Sequence, residues 1–243
     1  MTVRIAMWSG PRNLSTAMMR SFENRADCAV WDEPFYAAYL VATGIDHPLR
    51  AESIAAGETD PKAVAARCLG PAPDGARLFY QKHMTHHMVD GMPLDWMDEV
   101  VNAFLIRQPE AVVASYEAKR QDLTLDDLGV EDQWRLFERV ASRLGAAPPV
   151  VDADDVRRAP EATLRRLCAA LGIAFDPAML VWPTGPRASD GPWSAHWYDA
   201  VHRSTGFTPP GPPKRLGAER QRIADAARPH YEALAAFALK GRE

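Results

Sequence analysis

Cysteine, long apolar runs and excess positive charge are all scarce in this sequence. Its three cysteines, Cys28, Cys68 and Cys168, are far apart and form no C-x-x-C pair, which predicts neither a disulfide framework nor a zinc site. No apolar run approaches the roughly 18 residues that a membrane span needs, and the first residues break too soon for a secretory signal. The net charge of −4 argues against a nucleic-acid partner. We expect a reduced, cytoplasmic protein with neither membrane nor nucleic-acid partners.

The order of apolar segments and turn signals predicts the fold class. Short apolar runs alternate with stretches whose apolar residues recur at helical spacing, as in chains that build a parallel sheet covered on both faces. We therefore expect an α/β fold with a three-layer, doubly wound and mostly parallel sheet, in one domain over residues 1–243. The predicted strands are 3–8, 28–31, 78–83, 100–106 and 150–152, and the predicted helices are 14–25, 35–43, 61–69, 109–120, one or two within 124–145, 160–171 and 218–239.

Residues 183–213 differ from the rest of the chain in composition. They hold seven prolines but also several aromatic residues, in which disordered segments are poor. We interpret this stretch as an ordered, irregular flap. It either lines an apolar slot for a small molecule or plugs the core, and both alternatives stay open. The side chains concerned are Trp193, His196, Trp197, Tyr198 and Phe207.

The segment Ser9-Gly10-Pro11-Arg12-Asn13-Leu14-Ser15-Thr16 joins the first predicted strand to a helix. In open α/β sheets, ligands bind at the carboxyl ends of strands, where helix N-termini direct their positive ends toward anions. Gly10 permits close backbone approach, Arg12 supplies a cation, and the first amides and hydroxyls of the helix can donate to phosphate oxygens. The segment predicts a phosphate site, the plainer alternative being a helix merely capped by Ser15 and Thr16.

The same segment departs from the loop of nucleoside triphosphatases. That loop has the form G-x-x-x-x-G-K-[ST], and its later Gly-Lys pair is absent here. An acidic metal ligand is missing too, because Arg107 follows the strand predicted at 100–106. A triphosphate needs a metal ion to neutralise its charge. We therefore expect a phosphate site without a metal.

A second anion site is predicted from Arg107 and Ser115, which lie eight residues apart. Arg107 ends a strand and Ser115 lies on the helix that follows, so both side chains can return to the carboxyl edge of the sheet. A guanidinium fork with a hydroxyl suits a second phosphate. An arginine after a strand is otherwise a common surface ion pair, so the prediction depends on its combination with the first loop.

These segments resemble the sulfotransferase family that uses 3′-phosphoadenosine 5′-phosphosulfate, over most of the chain. WSGPRNLSTAMMRSF is similar to the family's 5′-phosphosulfate loop with Arg in place of Lys, and FLIRQPEAVVASYEAK to its 3′-phosphate element. VVDADDVRRAPEATLRRLCAALGIAFDPAML matches a later strand–helix stretch, and QKHM is similar to the strand of the catalytic histidine. The resemblance implies a P-loop-like fold, this nucleotide as sulfuryl donor and no metal. The implied nucleotide-binding residues are Gly10, Pro11, Arg12, Asn13, Leu14, Ser15, Thr16, Arg107 and Ser115.

Two positions depart from the family pattern. Leu14 stands where the family usually has Gly, and the C-terminal Arg-Lys-Gly signature is absent, with Lys214 and Arg215 as a loose substitute. The predicted activity is sulfuryl transfer to an unidentified hydroxyl or amine of a small molecule, with Arg12 stabilising the departing phosphate. The alternatives are a non-catalytic nucleotide-binding protein and a P-loop-like small-molecule kinase. The sequence says nothing of the oligomeric state.

Two residues compete for the role of general base. Glu33 ends the second predicted strand beside the phosphate loop, and His83 ends the third and titrates near neutrality. We favour Glu33, whose alternative role is an ion pair with Arg12 or Arg20. His83, His86 and His87 could also suggest a metal site, but a histidine cluster without acidic or cysteine partners is more often solvent-facing.

Overall fold

The computed structural model describes residues 2–116, 123–212 and 214–240, and its centre is a five-stranded sheet. The strand order is β2-β3-β1-β4-β5, and every neighbouring pair is parallel. The predicted α/β class with a parallel sheet is confirmed. The strands are β1 (Val3–Ser9), β2 (Cys28–Asp32), β3 (Leu78–Met84), β4 (Val101–Ile106) and β5 (Val150–Asp152).

Helices connect the strands and cover the sheet. The first group is α1 (Ser15–Glu23), α2 (Tyr36–Thr43), α3 (Arg50–Ala56), α4 (Pro61–Leu69) and α5 (Pro109–Tyr116). The second group is α6 (Val130–Leu144), α7 (Ala153–Arg158), α8 (Pro160–Ala170), α9 (Ser194–Trp197), α10 (Asp199–His202) and α11 (Ala218–Ala235).

The central strand β1 shows why the sheet has two cores. Ala6 and Trp8 pack on one face with residues of α2, α4, α6 and α11, whereas Ile5 and Met7 pack on the other face with residues of α1, α7 and α8. Successive strand residues point to opposite faces, so a strand buried on both sides must be apolar throughout. The result is the predicted three-layer arrangement, with the carboxyl ends of β1, β3 and β4 side by side at one edge.

Several helices differ from the sequence-based prediction. We predicted a loose region around residue 50, yet α3 forms there; it was missed because only Ser53 of this helix is buried, which leaves no apolar repeat. The last helix was predicted to reach residue 239 but ends at Ala235. The chain turns at residues 236–237, Ala238 then forms a parallel bridge with Val150, and the amide of Leu239 donates to the Val150 oxygen at 2.9 Å. The helix ends early because the chain after it hydrogen-bonds a carbonyl of the edge strand β5 that would otherwise be unpaired.

The helix predicted near residue 124 also begins later. Thr124 hydrogen-bonds Asp127 in a short 3₁₀ turn, and α6 starts only after Gly129, whose φ is 62°. A Cβ on residue 129 would lie 2.8 Å from Thr85 Oγ1, so the left-handed turn also needs glycine for close packing. The predicted helix after Pro109 is described to Tyr116, and its remainder to residue 120 lies outside the described residues.

The flap predicted at 183–213 is largely irregular and contains the two short helices α9 and α10; Pro213 lies outside the described residues. Its Trp193 and Tyr198 are buried and join the core on the α2 face. A bridge between Val181 and Gly206 closes the base of the flap. In the described part of the chain, no helix combines the length and apolar character needed to cross a bilayer.

Candidate active site

A cavity of about 360 Å³ opens at the carboxyl edge of the sheet. The loop after β1 and residues of α5 and α7 form one end, and residues around the ends of β2 and β3 form the other, with the flap as a further wall. Ligands bind at this edge in open α/β sheets because loops and helix N-termini converge there. The two ends of the cavity differ in charge.

The start of α1 forms part of the first end. Its opening residues Ser15 and Thr16 line the cavity together with Pro11. The amides of a first helical turn have no intrahelical acceptor, so they are donors that carry the positive end of the helix dipole. Leu14 precedes the helix with φ 72°, in the left-handed region that favours glycine. Its side chain also lines the cavity and packs against the core on the α1 face.

Two of the predicted nucleotide ligands lie beneath the loop instead of on the cavity surface. A Cβ on Gly10 would lie 2.3 Å from the Leu128 oxygen, so this residue must be glycine for the loop to pack. Asn13 is buried and donates from Nδ2 to the Leu105 oxygen at 3.3 Å. Neither residue lines the cavity. The structure therefore gives Gly10 and Asn13 the role of shaping the loop.

Arg12, Arg107 and Ser115 come together, as the sequence predicted for two converging anion sites. Arg107 donates from Nη1 to the Arg12 oxygen at 2.7 Å, and Arg12 donates from Nε to Ser115 Oγ at 3.0 Å. Burial lowers the pKa of both guanidinium groups. Among the described residues, no carboxylate lies within 4.0 Å of either one. Two partly desolvated cations without a carboxylate partner favour a bound anion.

A third cation at this end was not predicted. Arg157 of α7 lines the cavity and donates to the oxygens of Thr208 and Pro209, both at 2.9 Å. Its charge contributes, after burial, to the lowered pKa of Arg107. By contrast, Lys214 and Arg215, the loose substitute for the C-terminal signature, do not line the cavity.

The second end of the cavity holds a lysine shared by two carboxylates. Lys82 Nζ lies 2.8 Å from Asp32 Oδ1 and 2.5 Å from Glu33 Oε1. Tyr198 of the flap accepts a hydrogen bond from Lys82 at 2.8 Å and donates to Asp32 Oδ2 at 2.6 Å. Glu33 thus pairs with Lys82, not with Arg12 or Arg20; Arg20 pairs with Glu23 and Asp190.

The titration of this cluster follows from burial and charge. Burial, followed by the charge of Asp32, raises the pKa of Glu33, and the charge of Lys82 opposes the shift. Asp32 and Glu33 raise the pKa of Lys82 well above its ordinary value although burial acts in the opposite direction. Glu33 also has φ 48°, and non-glycine residues in this region concentrate at functional sites. A carboxylate with a raised pKa is a stronger base.

His83 does not reach the cavity. It is buried with its ring 4.6 Å from that of Trp8 and 5.0 Å from that of Trp96, and its Nε2 lies 3.2 Å from Gln81 Oε1. Burial, followed by the charge of Lys82, lowers the pKa of His83 to about 3. A neutral core histidine without contact to the cavity cannot take a proton from a ligand there. We therefore keep Glu33 and drop His83 as the candidate base.

The expectation that the histidine cluster faces solvent was wrong. His86 and His87 line the cavity, and His87 is stacked against Tyr36 and Tyr39 with ring centroids 5.0 and 4.8 Å away. Burial lowers the pKa of His86 to about 4 and that of His87 well below its ordinary value. Within the described residues, no set of three histidine, cysteine or acidic side chains is arranged to hold a metal ion.

Comparison with known proteins shows which family the chain belongs to. A family model described as "Sulfotransferase domain" matches residues 3–238. The chain belongs to this sulfotransferase domain family. The domain also resembles two curated proteins of Arabidopsis thaliana, "Branched-chain-amino-acid aminotransferase-like protein 2" and "protein 1", with 39% and 38% identity over 207 residues. The match covers 85% of the chain but only 36% and 37% of those relatives, so the chain spans about a third of their length.

Solved structures show the same fold. The sulfotransferase domain resembles the "Sulfotransferase Domain from the Curacin Biosynthetic Pathway" with a TM-score of 0.54 and 17% identity, covering 94% of this chain and 98% of that one. It also resembles the "Sulfotransferase from Alicyclobacillus acidocaldarius" with a TM-score of 0.56 and 12% identity, covering 98% of each chain. At such identities the likeness supports the fold alone.

Two residues of this sulfotransferase domain were missed as members of the site: Lys82 and Arg157. Tyr198 was named only as a residue of the flap, and His87 only as part of a possible metal site. One signal was available for Lys82. It directly precedes His83 in a strand, and adjacent strand residues point to opposite faces, so only one of the two could share the surroundings of Glu33. The place of Arg157 in the site depends on packing between distant segments, which leaves no local pattern.

Proposed function

We propose that this domain transfers a sulfuryl group from 3′-phosphoadenosine 5′-phosphosulfate to a hydroxyl or amine of a small molecule. The observation that carries the proposal is the link between Arg12 and Arg107, which brings two anion-binding elements to one end of a cavity whose other end holds Glu33. The family match and the fold support sulfotransfer in general.

The residues at the cationic end fit a nucleotide with two separate phosphate groups. Pro11, Arg12, Leu14, Ser15 and Thr16 would hold the 5′-phosphosulfate, since this is where helix amides and hydroxyls face the cavity. Arg107 and Ser115 would hold the 3′-phosphate. When bound, the donor supplies an activated sulfuryl group on a phosphate leaving group. The desolvated guanidinium groups stabilise negative charge more strongly than they would in water.

Glu33 is the proposed general base. In sulfuryl transfer the acceptor loses a proton, forms a bond to sulfur, and the bond from sulfur to the 5′-phosphate oxygen breaks. Glu33 takes the proton, and Arg12 stabilises the charge on the departing phosphate. Lys82 keeps Glu33 ionised and fixed in orientation through its contact with Oε1. Base assistance of this kind is typically worth about 10²–10⁴-fold in rate.

Calorimetry with adenosine 3′,5′-bisphosphate tests the donor site. We expect this nucleotide to bind more tightly than 5′-AMP or ATP with magnesium, and Arg107→Ala to reduce the advantage over 5′-AMP. Arg139→Ala is a matched control, because Arg139 lies on α6, pairs with Asp95 and Asp98 and does not line the cavity. Preference for ATP with magnesium would favour phosphoryl transfer, and a lack of binding to every nucleotide would refute the proposal.

Paired substitutions test the base. Glu33→Gln should lower kcat by about 10²–10⁴-fold while the affinity for adenosine 3′,5′-bisphosphate changes little, because Glu33 lies at the other end of the cavity. His83→Gln, in the core, should retain turnover. Full activity of Glu33→Gln together with loss of activity in a folded His83→Gln would reverse the assignment.

A further inference from the structure

The two oxygens of Glu33 have different surroundings. Oε1 accepts from Lys82 at 2.5 Å and lies 3.5 Å from the Tyr198 hydroxyl. Oε2 makes no hydrogen bond to any described residue, and it lies 3.9 Å from His87 Nε2. Since Glu33 and His87 both line the cavity, Oε2 is the oxygen that remains to receive a proton from a ligand.

His87 presents one nitrogen to this oxygen and buries the other. Its ring packs against both Tyr36 and Tyr39, and its Nδ1 is buried without a partner among the described residues. A neutral imidazole carries one N–H, and burial lowers the pKa of His87 well below its ordinary value. Because Nδ1 faces no acceptor, the proton belongs on Nε2, which faces the carboxylate.

We propose that the acceptor is an alcohol or phenol whose hydroxyl binds between Glu33 Oε2 and His87 Nε2, donating to the first and accepting from the second. The proposal rests on the proposed function and narrows it. The two atoms are 3.9 Å apart, so one oxygen can lie about 2.8 Å from both. On transfer the O–H proton passes to Oε2 and a hydroxyl lone pair attacks the donor's sulfur. The bond from that sulfur to the 5′-phosphate oxygen breaks, and the departing phosphate keeps the electron pair. His87 positions the hydroxyl and keeps its own proton.

The same pair disfavours amines. An ammonium group has three donors and no acceptor, so it would leave the His87 N–H facing a positive charge and without a partner. A buried polar group that loses its hydrogen-bond partner weakens binding. Tyr36, Trp193 and Trp197 line the same cavity, and Tyr36 contacts both His87 and Trp193, which suits an alcohol with an apolar body.

Matched alcohol–amine pairs test this inference without requiring turnover. The probes are benzyl alcohol and benzylamine, 2-phenylethanol and 2-phenylethylamine, and 3-phenylpropanol and 3-phenylpropylamine, titrated at pH 7 with and without adenosine 3′,5′-bisphosphate. We expect at least one alcohol to bind about tenfold more tightly than its amine, equivalent to one hydrogen bond to a well-matched site. Equal or tighter binding of the amines, or no binding of any probe, would overturn the proposal.

Variants at position 87 separate recognition from stability. His87→Phe keeps the stacking with Tyr36 and Tyr39 but removes the donor, so the alcohol preference should disappear. His87→Gln restores an N–H and should recover part of it. His230→Gln on α11, away from the cavity, should change nothing. If His87→Phe still bound the alcohol more tightly than the amine to the same extent, the proposed role of His87 would be wrong. Bisphosphate binding is measured separately, so failure of the donor site is distinguishable from failure of the acceptor pair.

Discussion

The Nη1 group of Arg107 donates a hydrogen bond to the main-chain oxygen of Arg12 at 2.7 Å. The two residues lie 95 positions apart, at the ends of neighbouring parallel strands, so the contact joins two loops into one surface. It also uses an arginine side chain to fix a backbone that is itself in the left-handed region, with φ 62° at Arg12. The arrangement of the arginines at this end of the cavity therefore depends on a network, not on single contacts.

Substitution of Ser115 tests that network. Ser115→Ala removes the acceptor of the Arg12 Nε hydrogen bond, and a typical hydrogen bond contributes about 0.5–1.5 kcal/mol. We expect the dissociation constant of adenosine 3′,5′-bisphosphate to rise by about 2–10-fold in calorimetry. Ser142→Ala, on the exposed part of α6, is the control. Equal affinities of the two variants would show that Ser115 does not orient Arg12.

The left-handed conformation of Leu14 predicts an unusual order of stability. Leu14→Ala removes apolar contacts and leaves φ near 72°, whereas Leu14→Gly removes the same contacts but relieves a strain of roughly 1–2 kcal/mol. The glycine variant should be more stable than the alanine variant by about 1 kcal/mol in urea unfolding. The reverse order, which is usual at ordinary positions, would mean that the turn relaxes.

Acidification should destabilise the fold partly through His83. Its pKa is lowered to about 3 by burial, with a smaller contribution from the charge of Lys82. The unfolded chain takes up a proton near pH 6.5 that the folded protein does not. The contribution of His83 to the free energy of unfolding is therefore fully present above pH 6.5. It is lost as the pH falls toward 3, by about 1.4 kcal/mol per pH unit.

Urea unfolding between pH 6 and pH 4 measures the effect. In His83→Gln the slope of stability against pH should be shallower by about 1.4 kcal/mol per unit. Other groups, including Glu33 with its raised pKa, titrate in both proteins. Their contributions therefore cancel when the slope of the variant is subtracted from that of the unmodified protein. Identical slopes would indicate that His83 is protonated in the folded state.

The Tyr198 hydroxyl should stabilise the flap. It donates to Asp32 Oδ2 at 2.6 Å and accepts from Lys82 Nζ and from Trp193 Nε1, at 2.8 and 3.2 Å. Tyr198→Phe leaves a buried carboxylate oxygen without this donor, which costs about 1–3 kcal/mol. We expect that loss in urea unfolding and faster proteolysis within residues 183–212. Tyr36→Phe removes a hydroxyl paired to His47 and should leave flap proteolysis unchanged.

Local patterns in the sequence determined the fold class and which two arginines meet at one end of the cavity. The apolar runs at β1 and β4, with a turn and a helix after each, placed Arg12 and Arg107 at one edge because parallel strands align their carboxyl ends. The sequence showed that Leu14 stands where the family usually has glycine. The positive φ at Leu14 explains why glycine is favoured at this position. The roles of Gly10 and Asn13 were not predicted, since whether a loop residue faces the ligand or the core depends on what packs beneath it.

Only the tertiary structure determined which residues form the second end of the cavity, where Lys82 pairs with Asp32 and Glu33. Glu33 and His83 were both strand-end candidates in the sequence, with Glu33 favoured by a small margin, and the packing of His83 against Trp8 and Trp96 removes it from the cavity. Tyr198 lies 166 residues from Asp32, and no periodicity connects them. Short-range sequence patterns reflect backbone geometry, which repeats over a few residues. Burial and charge pairing arise between distant segments, and they determine which oxygen of Glu33 pairs with Lys82.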